Sequence, residues 1–497
     1  MVVLLIGTTV EAQQPVRLTI LYSSEHHGSL LPFDVPGGKG IGGVVGRAGL
    51  VAQVRREVPN VLLVDSGDIL IGTAMSSVFR GEPDILAMNL MRYDAMAAGN
   101  HEFDFGVEHF RKLQQLAKFP IISTSIRPKG REIAPAFTIK EIAGLRVLIF
   151  SGLDEETYPD SMHPNVVREL EYFDPISSAR GLIRGLSRRV DFVVALTHMR
   201  SENDLALAKA IPQIHVIVGG HTEGFDGMLT AAGGKPVESL VNPPTIFVKT
   251  HRLGATLGRL DLEIEGGRIR RAVARNLPVT AQSPSEPQVA ALVKDYEGRL
   301  KSRFYDTLGR ATQMLDGERD TVRTRETNLG NFIADMMRDF GKTDIAIMNG
   351  GGIRGSLAEG SITLGDAFRV LAFDNTLVTL QLTGAQLREA LENGVSQVEQ
   401  GGGRFPQVSG LSFIYERARP AGQRIVEIRI GGQPLDPARV YSLATNDFLA
   451  GGGDGYASLL AGRQVRDTQT VLRDIFVDLI RRLGAVSAKI EGRITAR

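Results

Sequence analysis

From Arg17 to about Ser283 the chain repeats one pattern: a short apolar run, a polar or glycine-rich turn, then a stretch of helical periodicity. The apolar runs are Leu18–Tyr22, Val61–Val64, Ala95–Ala98, Ile121–Ile122, Val147–Phe150, Phe192–Leu196, Val216–Val218 and Ile246–Val248. Helical candidates lie between them, at Ala48–Glu57, Pro83–Arg92, Val107–Ala117, Pro175–Ser187 and Glu202–Ala210. Strands that alternate with helices in this way bury their apolar faces by layering helices on a sheet, so the pattern predicts an α/β fold. Two longer alternating runs, Ala255–Ile264 and Ile269–Asn276, flank a turn containing Glu265, Gly266 and Gly267 and read as a closing hairpin.

A chain of 497 residues exceeds what one hydrophobic core supports. Pro278, Pro284 and Pro287 punctuate the sequence after the hairpin, and Ser285 is placed to cap a helix running through about Phe304. We therefore read 17–283 as one domain, 284–305 as a linker helix and 306–497 as a smaller α+β domain. The last has helices expected at Leu329–Phe340, Gly384–Asn393 and Thr470–Leu483, and strands at Ile345–Met348, Leu377–Leu382, Leu411–Tyr415 and Ile425–Ile430. The densest glycine clusters, Gly350–Gly352, Gly401–Gly403 and Gly451–Gly453, also fall there.

Lysine plus arginine number 57 and aspartate plus glutamate 56, a formal net charge of +1. Such a balance offers no broad field for a nucleic acid polymer or an acidic membrane. No apolar run approaches the roughly 18 residues of a bilayer-crossing helix. Cysteine is absent, which excludes thiol catalysis, zinc–thiolate sites and disulfides. Any metal must sit on histidine, carboxylate or amide side chains. The first residues read VVLLIG and then TTVEAQQ, an apolar core followed by small residues before a possible cut near Ala12, with no charged segment in front. Residues 1–16 are thus expected to be a signal remnant, and the protein periplasmic or secreted.

The residues able to bind metal cluster just past the ends of the apolar runs. Glu25 and His27 follow the first, Asp68 follows VLLVDSG, and Asn100-His101 follow AMAAG; His198 follows FVVALT, and His221 with Glu223 follow VIVGG. In an α/β domain the loops at the carboxyl ends of the strands gather at one edge, so these residues are expected to converge. In extended chain, residues i and i+2 share a face, which pairs Glu25 with His27 and His221 with Glu223. Gly67, Gly99, Gly219 and Gly220 beside them allow close backbone approach. His26, His109, His163, His215 and His251 are read as structural.

The blocks SSEHHG (23–28), DSGD (65–68), GNHEFD (99–104), LTHMR (196–200) and GGHTE (219–223) resemble those of the calcineurin-like metallophosphoesterases. More narrowly, they resemble the bacterial periplasmic 5′-nucleotidase/UDP-sugar hydrolase family. The resemblance implies a four-layer β-sandwich flanked by helices, and two divalent metal ions (Mn, Zn, Co, Mg or Fe). By position, Asp68 would bridge the ions, with His27, Glu25 and Glu223 completing one site and Asn100, His198 and His221 the other. His101 and Asp104 would be the catalytic pair. Paired ions suit phosphoryl transfer, because they activate water and neutralise the phosphoryl oxygens.

In the second half, Arg319 and Arg323 stand four apart and Arg354 follows a strand and a Gly-rich turn, where guanidinium and backbone N–H groups can grip an anion. Phe373 in LAFDN and Phe448 in NDFLAGGGDGY could form a slot for a flat base or simply pack in a core. RDTVR, ETNLGN, NGGGIR, FDN and NDFLAGGGDGY are similar, in order, to the same family's C-terminal domain. That likeness implies phosphate binding by Arg319, Arg323 and Arg354, and a base clamp of Phe373 and Phe448. It also implies ribose contacts from Asn375 and Asp454, with Asn349 beside them. The implied activity is hydrolysis of nucleoside 5′-monophosphates, and of UDP-sugars or 2′,3′-cyclic nucleotides as further candidates. A thiosulfohydrolase on the same scaffold and a weakened nucleotide-binding protein are the alternatives. The chain departs from the family at Glu25 and Glu223, at Ser23-Ser24, and at Ala372 before the clamp phenylalanine. A third carboxylate beside Glu25 and Asp68 would raise the pKa of bound water.

Overall fold

The computed structural model describes residues 15–497 apart from 36–37, 130–133, 156, 159–161 and 163. All but the last two residues of the expected signal segment, and His163, lie outside the described residues.

The first half is built on two sheets. One has the strand order Ser239–Val241, Arg268–Pro278, Thr256–Glu265, Val16–Ser23, Val61–Asp65, Ala95–Ala97, Ile121–Ile122. The other has the order Leu229–Thr230, Ile246–Lys249, Val216–Gly219, Phe192–His198, Leu145–Leu153, Phe137–Ile142. Period-two alternation decides which layer each side chain joins. Leu18, Ile20, Tyr22, Leu62 and Val64 face Val147, Ile149, Val194, Leu196 and Val218 in a core between the sheets. Leu21, Leu63 and Met96 point the opposite way, under the helices Val44–Glu57, Glu82–Met91 and Val107–Leu116. Helices Pro175–Leu186 and Ser201–Ala210 cover the outer face of the second sheet. The result is the expected four-layer sandwich, helix on sheet on sheet on helix.

The helix after the prolines spans Pro287–Phe304, but Ser285 does not cap it. Glu286 does, its carboxylate accepting the Val289 N–H at 2.9 Å. With Pro287 occupying the first helical position, the capping residue must be the one immediately before it. Val289, Val293, Tyr296, Leu300 and Phe304 form a stripe that packs into the first half's core.

The second half has a five-stranded sheet in the order Pro406–Ser409, Ile345–Asn349, Val440–Asn446, Thr376–Thr383, Arg463–Val471. Helices Asn328–Gly341 and Leu472–Leu483 pack in the core on one side, and Gly384–Gly394 in the core on the other. The edge strand Arg463–Val471 was not legible from periodicity. Its residues are mostly polar, and it is held by backbone pairing with Thr376–Thr383 across two register shifts. The halves meet where Leu364, Phe368, Ala372 and Phe373 pack against the first half's core, with the Phe304 and Phe368 rings 4.7 Å apart.

Candidate active site

Strand polarity makes the site. Val16–Ser23, Val61–Asp65 and Ala95–Ala97 run parallel in one sheet, as do Phe192–His198 and Val216–Gly219 in the other. The rims are stitched together where Ser66 Oγ donates to Val218 O at 2.7 Å and His198 Nδ1 lies 2.9 Å from Ser66 O. Glu25 N donates to Gly67 O, and His27 N to Asp68 O, both at 3.0 Å. The expected clustering past the strand ends is therefore what the fold produces.

The backbone there is strained. Glu25 (φ 53°), His27 (φ 47°), Asp68 (φ 58°) and His221 (φ 67°) all occupy the left-handed region. Each such residue costs on the order of 1–3 kcal/mol, and strain of this kind gathers at functional sites. Close approach also requires Gly99: a Cβ there would lie 2.3 Å from Asp68 Oδ1 and 3.0 Å from His198 Cε1.

Asp68 is the hub. His27, Asp68 and His101 offer ligand atoms within 4.8 Å of one another, and so do Asp68, His198 and His221. His198 Nε2 lies 3.1 Å from Asp68 Oδ2 and 3.6 Å from Glu25 Oε1, with no hydrogen-bond partner of its own. Burial opposes charge on this ring, yet Asp68 and Glu25 push its pKa up to about 10. That is a field that calls for a cation, and a divalent ion against the same carboxylates would satisfy it through the Nε2 lone pair. Burial pushes His27 down to about 4, and burial together with His198 pushes His221 down to about 3, so both rings are neutral donors. His27 Nδ1 lies 3.2 Å from Ile71 O, which turns Nε2 inward. The residues present thus fit divalent metal. Asn100 lines the same cavity.

Glu223 is not brought into the set. It is 69% exposed, with its Oε1 3.8 Å from Arg252 Nη1. Residues i and i+2 share a face only in extended chain, and here His221 sits in a bend closed by Thr222 N donating to Gly220 O. A third carboxylate at the centre, and the alkaline shift expected from it, fall with this placement. Glu25 does enter, with Oε2 3.3 Å from His27 Nε2 and Oε1 accepting His221 N–H at 2.6 Å.

His101 and Asp104 are joined at 2.6 Å through Nδ1, and His101 N donates to Asp68 Oδ1 at 3.0 Å. Burial works against protonating His101, but Asp104 and then Asp68 outweigh it and raise its pKa. Two further residues shape this region. Glu102, inside the GNHEFD block, is fully buried and accepts N–H groups from Asp68 (2.9 Å), Ile69 (2.8 Å) and Gly99 (2.6 Å). Burial and the neighbouring Asp68 push its carboxyl up to about 7. Arg252 follows the strand Ile246–Lys249, so the same strand-end rule that found the histidines would have found it.

The second half supplies the facing wall of one cavity of about 520 Å³. Strands Ile345–Asn349 and Val440–Asn446 run parallel and Thr376–Thr383 antiparallel to the latter. The ends of the first two and the start of the third therefore share an edge, which collects Arg354, Phe448, Asp454, Phe373 and Asn375. Arg319, Arg323 and Arg354 line the cavity. Burial and then Arg252 push Arg319 down to about 9 and Arg354 to about 10, with Arg354 also acting on Arg319; burial, Arg319 and Arg354 lower Arg323. Crowded buried guanidiniums of this kind are poised for an anion. The Phe373 ring stacks 5.8 Å from His101, under the Arg354 guanidinium at 5.6 Å. Phe448 lines the same cavity. Asn375 Nδ2 donates to Asp447 at 2.8 Å, and Asn349 Nδ2 donates to Asp454 at 2.7 Å.

Glu102→Ala would strand three buried N–H groups. Stability should fall by roughly 3 kcal/mol or more in denaturant unfolding, with faster amide exchange at Asp68 and Gly99. Unchanged exchange at both amides would show that the carboxylate does not hold the loops.

Residues 25–223 match the family model for calcineurin-like phosphoesterase, and residues 307–461 that for the 5′-nucleotidase C-terminal domain. The trifunctional nucleotide phosphoesterase protein YfkN of Bacillus subtilis (strain 168) is 32% identical over 89% of this chain, which spans 33% of that protein. Snake venom 5′-nucleotidase of Naja atra is 31% identical, with 96% of this chain and 98% of that protein covered. The crystal structure of a 5′-nucleotidase precursor from Thermus thermophilus superposes with a TM-score of 0.87 at 32% identity, covering 97% of this chain and 99% of that one. The chain belongs to the 5′-nucleotidase family, with a calcineurin-like phosphoesterase region followed by the family's C-terminal domain.

Proposed function

We propose that the protein hydrolyses nucleoside 5′-monophosphates, with its first half cutting a phosphoester that its second half holds. The observation that carries this reading is the single cavity. One wall bears two carboxylate–imidazole clusters sharing Asp68; the other bears Arg319, Arg323 and Arg354 beside Phe373 and Phe448. In chemical class it is a metal-dependent phosphoric ester hydrolase. A thiosulfohydrolase would have no use for two phenylalanines lining a cavity of nucleotide size. A pure binding protein would have no use for the His101–Asp104 pair.

His27, Glu25 and Asp68 would hold one divalent ion, and Asp68, Asn100, His198 and His221 the other. Bound there, the ions supply positive charge to the phosphoryl oxygens and acidify the attacking water. The chain's own residues do the rest. Arg319, Arg323 and Arg354 fix the phosphoryl group. His101, kept protonated by Asp104, donates to the leaving 5′-oxygen. Phe373 and Phe448 enclose the base, while Asn375 and Asp454 present polar atoms to the ribose, with Asn349 holding the Asp454 carboxylate. UDP-sugars and 2′,3′-cyclic nucleotides present the same phosphoryl and base groups and are the further substrates to test. We place the division of labour at 17–283 and 306–497, and the working compartment outside the cytoplasm. The compartment rests on the residue pattern of the opening segment; among the described residues, no helix is long and apolar enough to cross a membrane.

EDTA should abolish phosphate release and Mn²⁺ or Co²⁺ restore it, and Asp68→Ala should be the most damaging substitution at the metal centre. Full activity in chelated protein would end the metal reading. Phe448→Ala should mainly raise KM for AMP while sparing p-nitrophenyl phosphate, whereas His101→Ala should lower kcat on AMP with little change in KM. Equal losses of both variants on both substrates would refute the division between halves.

The pH profile follows from the raised pKa of His101. The acid form must be present, so kcat should fall as pH rises through the value that Asp104 holds up. Asp104→Asn removes the largest upward influence, so the alkaline limb should move to lower pH. An unmoved limb would assign that titration to another group.

A further inference from the structure

The two proposed cation positions are not equivalent, and the difference lies in Arg252. Its Nη2 stands 2.8 Å from His27 Nε2 and 3.2 Å from Glu25 Oε2. These are the atoms that a divalent ion on the His27 side needs, because His27 Nδ1 is turned to Ile71 O. Arg252 is only 14% exposed, so solvent screens its charge weakly. Its other terminal nitrogen, Nη1, is buried without a hydrogen-bond partner and lies 3.8 Å from the exposed Glu223. The guanidinium is therefore held between two anchors, the His27–Glu25 pair on the inside and Glu223 on the outside. Around His198 and His221 the neighbours are instead the carboxylates of Asp68 and Glu25, with Glu25 Oε1 facing that side.

We propose that Arg252 is an internal competitor for the His27-side cation position. A divalent ion entering there takes His27 Nε2 and Glu25 Oε2 from the guanidinium, which shifts outward towards Glu223. His198 Nε2 faces the carboxylates of Asp68 and Glu25 instead, so the Asp68–His198–His221 position binds the more tightly, while the His27-side position binds weakly and exchanges. Glu223 acts on metal affinity without touching the metal, by drawing the guanidinium away. This rests on the dimetal reading above.

The test is Mn²⁺ titration by calorimetry on the chelated full-length protein, with bound metal counted after desalting. The wild type should keep one ion through desalting and take up a second at least ~10-fold more weakly, as a unit positive charge beside a divalent ion requires. Arg252→Gln should tighten only the weaker step, by ~10-fold or more, and retain two ions. Arg252→Lys, which keeps the charge but shortens the fork, should stay within about threefold of wild type and controls for folding. Glu223→Gln should weaken the weaker step in the wild-type background and do nothing in the Arg252→Gln background. A Glu223 that ligated metal directly would weaken it in both. Two equal tight sites, unmoved by Arg252→Gln, would overturn the inference and leave the dimetal reading standing. One ion in every variant, with no second step, would overturn the dimetal reading and this inference with it.

Discussion

The buried carboxylate of Glu102 holds the site in place. By accepting the N–H groups of Asp68, Ile69 and Gly99, it ties the loop after one strand to the loop after the next. Asp68 can then stay in a left-handed conformation at the junction of both histidine clusters, and His101 N can reach its side chain. Without that clasp the strained loops would relax away from each other. Ser66 plays the corresponding part between the two sheets, where its hydroxyl and carbonyl engage Val218 and His198.

Charge is divided between the halves. The first contributes Asp68, Glu25 and the neutral rings of His27 and His221, an environment that attracts cations. The second contributes Arg319, Arg323 and Arg354, all lowered by burial and by neighbouring guanidiniums, Arg252 among them. Neither wall is comfortable alone in a buried cavity. A phosphoryl group between metal and guanidinium satisfies both, which is why the substrate class follows from electrostatics before any question of base preference. Arg252 is the exception, a guanidinium of the first half placed among the carboxylates.

Phe373 joins the two walls. It packs against the first half's core edge, its ring lies on His101, and Arg354 sits over it. Its loop is carried by Arg473, whose guanidinium donates to Leu371 O at 2.9 Å and pairs with Asp374. A residue read from sequence as half of a base clamp is thus also a neighbour of the His101–Asp104 pair.

The sequence by itself determined the layered α/β architecture and the clustering of Asp68, Asn100, His101, His198 and His221. Strand and helix periods are local, and strand direction alone sends the following loops to one rim. Local pattern could not decide what depends on where a loop turns or what stands across from it. Glu223 satisfied the i, i+2 rule, but the chain bends at His221 and Thr222 before it. Ser285 looked like a cap, yet Glu286 held the position that Pro287 makes available. Glu102 lies inside the GNHEFD block and Arg252 just past a strand, but what they do was set only when the fold buried one against backbone amides and the other against the His27–Glu25 pair. Side-chain roles of that kind are set by partners distant in the chain, and only tertiary packing brings those partners within bonding distance.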